Sequence, residues 1–411
     1  MTRKLTVLLM TLLLVALCVP ALAAGTLQDQ INAAGTTPTT IKLDQDYKEN
    51  ITIAEGQTIT LNLNGKTLNG GTGNNIPTIT NNGTLTVTGE GTVRRDDTEK
   101  SVPSGDHYVV DNQGTMTIES GNFYNDSGLK DDWNGASLIR NAGIGHSASL
   151  TINGGTFTQM RFGIVKNDDE GKLTINGGTF TTQGGSIADK SLVYALTNYG
   201  EAKITGGEFN GGVSANTWSK KYASEMTITG GTFNDAIAGG QLEGYEGNPV
   251  LNIQGGTFNG AQGFDKDTLK LSISNGRFRD QPDLDFVSSG LIVKDSDPKA
   301  PYHIGADAEA AIASAKAGST LTVLRGSAIT NVPAGVKVEN KTGDKITVNN
   351  EPVAPDGEIV IPTPTAAPQP TAKPVPAAPK TGDSTPIALY ALCAALAVAC
   401  AVWMLRRKAN A

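Results

Sequence analysis

Between its two ends the chain has no cysteine. The three that it holds, Cys18, Cys393 and Cys400, all sit in apolar terminal segments. Disulfides, which staple many small exported domains, are thereby excluded from the body of the protein, which must hold together by packing and hydrogen bonding. Aromatic residues are scarce too, at 5% of the chain, so the core cannot be built mainly from large rings. Basic charge is short: 33 Lys and Arg face 40 Asp and Glu, for a net charge of −7. No basic stripe occurs outside the termini, which excludes a nucleic-acid interface, since phosphate binding needs clustered cations. The three histidines, His107, His146 and His303, are scattered, with no H-x-x-x-H spacing. No metal and no cofactor is expected from such a pattern.

What the chain has in quantity is glycine, 49 residues. Glycine supplies the turn conformations that a protein of many short strands needs. The octet L-T-I-N-G-G-T-F occurs at 150–157 and again at 173–180. Looser copies start at Met116, Ala202, Met226, Leu251 and Leu271 and end at Phe123, Phe209, Phe233, Phe258 and Phe278. An earlier relative starts at Leu85. Within one copy Leu150 and Ile152 share a strand face, Gly154-Gly155 permits a bend, and Phe157 returns to the apolar side. One copy cannot bury that face. Stacked copies place Leu on Leu, Ile on Ile and Phe on Phe, with Asn153, Asn176, Thr205, Thr229 and Gln254 as a polar ladder at the turn.

The period, about 20–34 residues, fits a parallel β-helix with a constant rung and loops of varying length. The L-x-x-L-x-L pattern of leucine-rich repeats and the WD signature of propellers are both absent. The fold expected is all-β: a right-handed parallel β-helix over 24–290. A short capping helix opens it, in the T-x-x-D box at Thr26–Asp29. A small α/β cap-like module follows at 297–350, with a separate α/β domain as the other reading of that segment. These repeats resemble the pectin-lyase-like β-helix proteins, and more closely the repeat-bearing surface proteins of Gram-positive bacteria. The resemblance speaks for architecture over roughly 26–285, because this fold carries many activities.

The ends carry addresses. Arg3-Lys4, an apolar run over 5–19 and Ala21-Leu22-Ala23 make a secretory signal peptide, 1–23. Near the other end a Pro/Thr/Ala-rich stretch, 351–378, reads as an extended linker. Pro379-Lys380-Thr381-Gly382-Asp383 follows, then an apolar span over 387–405, roughly 28 Å as a helix. A basic tail, 406–411, holds Arg406, Arg407 and Lys408. This order resembles the L-P-x-T-G sorting signal of sortase substrates, with Ala378 at the leucine position. The resemblance implies sortase recognition of Pro379, Lys380, Thr381 and Gly382, cleavage after Thr381, and a covalent link from Thr381 to peptidoglycan. The protein would then be secreted and anchored at the cell wall, with 387–405 in the membrane beforehand. Unprocessed, the same span is a transmembrane anchor.

For function the sequence offers two readings. As an adhesin or structural display module, the chain would bind a glycan or host-matrix ligand through loops of the β-helix. The candidate residues are Tyr108, Tyr124, Asp131, Asp132, Trp133, Trp218 and Tyr222, since rings beside carboxylates grip sugars and peptides. The same rings could equally lie down on the solenoid and cover its core. As a pectin-lyase-like polysaccharide lyase or glycosidase, the chain would use Asp168 and Asp169 with Arg161 or Lys166. The doublet Asp168-Asp169 reads first as a polar turn, because adjacent strand residues point to opposite faces. The G-H-G and R-I-K motifs of polygalacturonases are missing, so the non-catalytic reading is the expectation.

Overall fold

The computed structural model describes residues 25–70, 76–95, 108–125, 137–143, 145–146, 148–159, 162–183, 194–217, 224–288 and 290–364. Over most of that length the chain winds as a parallel β-helix, each rung laying one strand on each of three ladders. The first ladder contains Thr39–Lys42, Thr58–Asn62, Thr84–Thr88, Thr115–Ile118, Ser149–Ile152, Lys172–Ile175, Glu201–Ile204 and Glu225–Ile228. The second contains Lys66–Gly70, Gly91–Arg95, Asn122–Asn125, Thr156–Gln159, Thr179–Thr182, Glu208–Asn210 and Thr232–Phe233. The long strands Val250–Phe258 and Lys270–Phe278 continue both ladders. The third ladder is a nine-stranded sheet running from Ile51–Ile53 to Gln262–Phe264. Rungs are numbered by the first ladder, from rung 1 at Thr39–Lys42 to rung 10 at Lys270–Phe278.

The register is the one that the repeat demands. Leu150 pairs Leu173, Ile152 pairs Ile175, and Phe157 pairs Phe180. Parallel in-register strands lie about 4.7–4.9 Å apart, so identical side chains meet at stacking distance. The phenylalanines form one column from Phe123 to Phe278, with ring centroids 4.6–5.2 Å apart. Every ring in it is buried. The Leu and Ile columns beside it complete one continuous core.

The turn ladder is present in part. Asn176 donates to Asn153 at 2.8 Å, and Thr205 donates to Asn176 at 2.7 Å. Beyond Thr205 the partners change. The Thr229 hydroxyl turns back to the Ile204 carbonyl, and Gln254 offers its backbone carbonyl to Asn275.

Both ends of the solenoid are closed. Helix α1 (Leu27–Ala34) begins in a capping box between Thr26 and Asp29 and buries Leu27 and Ile31. The Glu49 carboxylate accepts from the backbone N–H groups of Leu27 and Gln28, which the helix cannot satisfy internally. At the other end the pairing reverses. Tyr302–Ile304 runs antiparallel to residues 276–278 of the last rung, so the parallel stack cannot continue there. Helix α2 (Ala306–Ala313) and the strands from Thr320–Arg325 onward then pack into a second core around Ala308, Ile312, Val323, Val338 and Val348.

One boundary moves. The stretch from 351 reads in the sequence as linker, yet Glu351–Val353 and Glu358–Val360 are strands. The first pairs antiparallel with Ile346–Val348 at the margin of a three-stranded sheet, where Pro352 is tolerated. The second pairs antiparallel with Lys337–Asn340. Ordered structure therefore continues through the first turns of the Pro-containing segment.

Candidate functional site

Two corners of the β-helix differ from the rest. Between the second and third ladders, rungs 2 to 6 insert 71–78, 96–109, 126–138, 160–164 and 183–193, all leaving at the same corner. Rung 7 makes that crossing in the single residue Gly211. Between the third and first ladders, rungs 2, 3 and 6 use a uniform Asn-x-Gly turn, as in Asn112-Gln113-Gly114. Rungs 4 and 5 depart from it on adjacent levels, with the longer connections 142–148, which still opens on Asn141-Ala142-Gly143, and 168–171, and rungs 7 to 9 use 218–224, 242–249 and 265–269.

The Asn of this turn is buried and forms a ladder. Asn81, Asn112, Asn141 and Asn167 each donate through Nδ2 to Oδ1 of the next asparagine at 2.7 Å, ending at Asn198. Each also donates to a backbone carbonyl of the first-ladder strand that follows the next asparagine, as Asn141 does to Lys172 at 3.0 Å. A buried amide is costly unless its partners are complete, so the ladder fixes this corner tightly. The two longer connections are built on that fixed base.

In rung 5, residues Asp168 to Gly171 form a turn closed by the Gly171 N–H to the Asp168 carbonyl at 2.9 Å. Its third residue is Glu170, with φ of 66°, a left-handed conformation that non-glycine residues rarely adopt. Rung 4 passes directly beneath. A Cβ on Gly143 would lie 1.6 Å from the Asp169 carbonyl oxygen, so only glycine lets the two rungs stack there.

The side chains gather outside this corner. One open depression of ≈ 350 Å³ is lined by Arg140, His146, Lys166, Asp168 and Asp169. A second, of ≈ 410 Å³, is lined by His146, Glu170 and Lys172. His146 borders both. Arg140 pairs with Asp111 through two hydrogen bonds, Nε to Oδ1 at 2.8 Å and Nη2 to Oδ2 at 3.1 Å. Gln113 holds the same carboxylate at 2.7 Å. Lys166 Nζ pairs with Asp168 at 2.8 Å and stands 5.9 Å from the Tyr199 ring centroid. Burial first, then the carboxylates of Asp168 and Asp169, push the Tyr199 phenol well above its ordinary pKa. It stays neutral and does not act as a base near neutral pH. Arg140 and Lys166 are fixed in place by carboxylates.

The residues expected from the sequence divide. Asp168 and Lys166 do meet in one depression, and Asp169 borders it as a buried residue, 2% exposed. Tyr108 is 7% exposed and lies under the Arg140 guanidinium, 5.0 Å from its ring centroid, so it covers the solenoid rather than offering a stacking face. Tyr124 faces outward on the second ladder, with Arg94 at 5.9 Å from its ring centroid. Arg161, Asp131, Asp132, Trp133, Trp218 and Tyr222 lie outside the described residues, as do Pro379, Lys380, Thr381, Gly382 and the span 387–405. The sequence motifs do not single out Arg140, and they show His146 only as one of three scattered histidines. The signal for Arg140 is a thrice-repeated triplet of apolar, charged and Asn residues: Val110-Asp111-Asn112, Ile139-Arg140-Asn141 and Val165-Lys166-Asn167. In register these put Asp111, Arg140 and Lys166 side by side on the outer face.

Among the described residues no three His, Cys, Asp or Glu side chains are placed to share a metal ion. No helix among them is long and apolar enough to cross a membrane. No family model, curated protein or solved structure matches this chain.

Proposed function

We propose that this protein is a surface-displayed β-helical binding module, an adhesin whose ligand is a glycan held at the His146 corner. The reading joins two parts. The export signal at 1–23 and the sorting-type segment at 379–411 put the body of the chain outside the cell, fastened through Thr381 to peptidoglycan. The carrying observation is the pair of longer connections on adjacent rungs. Set on the buried asparagine ladder, they bring Arg140, His146, Lys166, Asp168 and Asp169 around one open, polar depression. Polar groups held rigidly by ion pairs bind hydroxyls without first having to be ordered. A glycan and matrix-protein panel probed with the secreted protein tests this, beside a His146→Ala/Asp168→Asn double variant. A ligand lost by the variant supports the corner as the site, and equal binding by both proteins sinks it.

A second reading, a polysaccharide lyase or glycosidase, has one observation in its favour. Asp168, Asp169 and a basic residue, Lys166, do share a depression. Against it, the Asp168 carboxylate is already bound to Lys166 and Arg140 to Asp111, an arrangement suited to holding rather than to proton transfer. Incubation with acidic polysaccharides separates the two readings. New reducing ends, or the ultraviolet absorbance of unsaturated uronate, that vanish in Asp168→Asn would establish the enzyme.

A further inference from the structure

The charges at the corner say which glycans it can accept. Arg140, Lys166 and Lys172 stand against Asp111, Asp168, Asp169 and Glu170, so carboxylates outnumber cations. The Arg140 and Lys166 charges are both already matched, Arg140 by a two-point bond to Asp111 and Lys166 by Asp168. In the first depression a uronate or sulfated sugar would have to pull Asp111 or Asp168 from its partner, and in the second it would meet Glu170 beside Lys172, in a chain of net charge −7. Hydroxyl groups meet no such obstacle, because they can donate to a carboxylate and accept from a guanidinium or ammonium. The shape adds a second element. His146 stands between depressions of ≈ 350 and ≈ 410 Å³, each near the low end of the ordinary range for a small-molecule site.

Resting on the glycan-binding reading, we propose that the His146 corner binds a neutral, hydroxyl-rich glycan across two subsites. One sugar residue sits on each side of the imidazole. Arg140, Lys166 and Asp168 hold the first, and Glu170 and Lys172 hold the second. Because the ligand carries no charge, its affinity is nearly independent of salt. Because there are two subsites, a disaccharide binds more tightly than its monosaccharide.

Titration calorimetry with the secreted protein tests this, using neutral, uronate and amino-sugar oligosaccharides of matched length. Neutral oligosaccharides should bind, with affinity changing less than about twofold between low and high salt. The disaccharide should exceed the monosaccharide by about tenfold or more, one subsite's worth of contacts. His146→Ala and Glu170→Gln should each reduce that advantage, with circular dichroism confirming the fold. Preference for the uronate or the amino sugar overturns the neutral-ligand inference and leaves the glycan-binding reading standing. Neutral binding untouched by Asp168→Asn and His146→Ala places the glycan elsewhere and overturns it as well. Silence toward every glycan overturns both the inference and the reading beneath it.

Discussion

Rungs 2 to 6 and rungs 7 to 9 are wound on the same core but carry different corners. In the first group the connections from second to third ladder are long, and the third ladder ends on a buried asparagine. At the far end of the second ladder Arg95, Asn125 and Gln159 are buried as well, and Arg95 donates to the Ile76 carbonyl at 2.7 Å. In the second group those crossings shrink, and the asparagine column gives way to Ala215 and then Gly239. A Cβ on Gly239 would already touch Leu269 and the Ala215 carbonyl, so that corner is filled by apolar packing. The Phe and Ile columns begin at rung 4, above Leu68, Val93, Leu61 and Val87, and pass from the first group into the second without a break. Apolar stacking thus specifies the solenoid, and buried amides mark the levels where the chain leaves the rung and returns.

The largest expected effect tests the shared core. Phe157→Ala in the loop-bearing rungs and Phe233→Ala in the compact rungs should each cost about 3–5 kcal/mol in urea unfolding. A gap between them well beyond about 1.5 kcal/mol would break the claim of one core. Next comes the corner itself. Asn141→Ala removes two donated bonds, takes one acceptor from the Asn112 amide and leaves the buried Asn167 Oδ1 without its ladder donor, for a loss of about 2–4 kcal/mol. An Asn141→Ala protein as stable as the parent would reduce the ladder to filler.

Gly200→Ala should cost about 1–3 kcal/mol, because its Cβ would come 2.4 Å from the Gly171 carbonyl oxygen. The added methyl at Gly263, where the nearest atom is 3.4 Å away, should cost less, and the reverse order would erase the distinction between the two groups.

The acid limb of stability probes the cap beyond rung 10. The His303 imidazole foremost, and then Arg277, hold the Asp307 carboxyl below its usual range. A carboxyl depressed in the folded state adds stability above its unfolded pKa of about 3.9, lost as pH falls through the folded value. Asp307→Asn should therefore flatten the fall of the urea midpoint at the acid end. An unaltered acid limb would remove that contact from the account. Smallest is Glu170→Gly, which should gain up to about 1 kcal/mol by relieving the left-handed residue. It should at the same time weaken whatever binds beside it.

The sequence makes the columns legible and hides the corners for a physical reason. Leu150, Ile152 and Phe157 recur in one short motif, so their stacking follows from the strand period alone. The asparagines are separated by 31, 29, 26 and 31 residues, with a loop of different length inside each interval. Only the recurring Asn-x-Gly at 81, 112, 141 and 198 hints at them, and the longer turn after Asn167 interrupts even that. Arg140 meets Asp111 from 29 residues away, a pairing that appears once the register of the third ladder is known. Asp168 and Lys166 could be nominated because they are two residues apart on one strand end. His146 could not, since what makes it central is the connection on the neighbouring rung.

The amide ladder has a sense of direction. From Asn81 to Asn167 each side chain donates toward the C-terminal rung, and from Asn112 to Asn198 each accepts from the N-terminal one. Turning a single amide over would set N–H against N–H on one side and oxygen against oxygen on the other. The column therefore behaves like a file of dominoes already leaning one way, whose members reverse together or not at all. A rung in this stretch cannot slip its register alone.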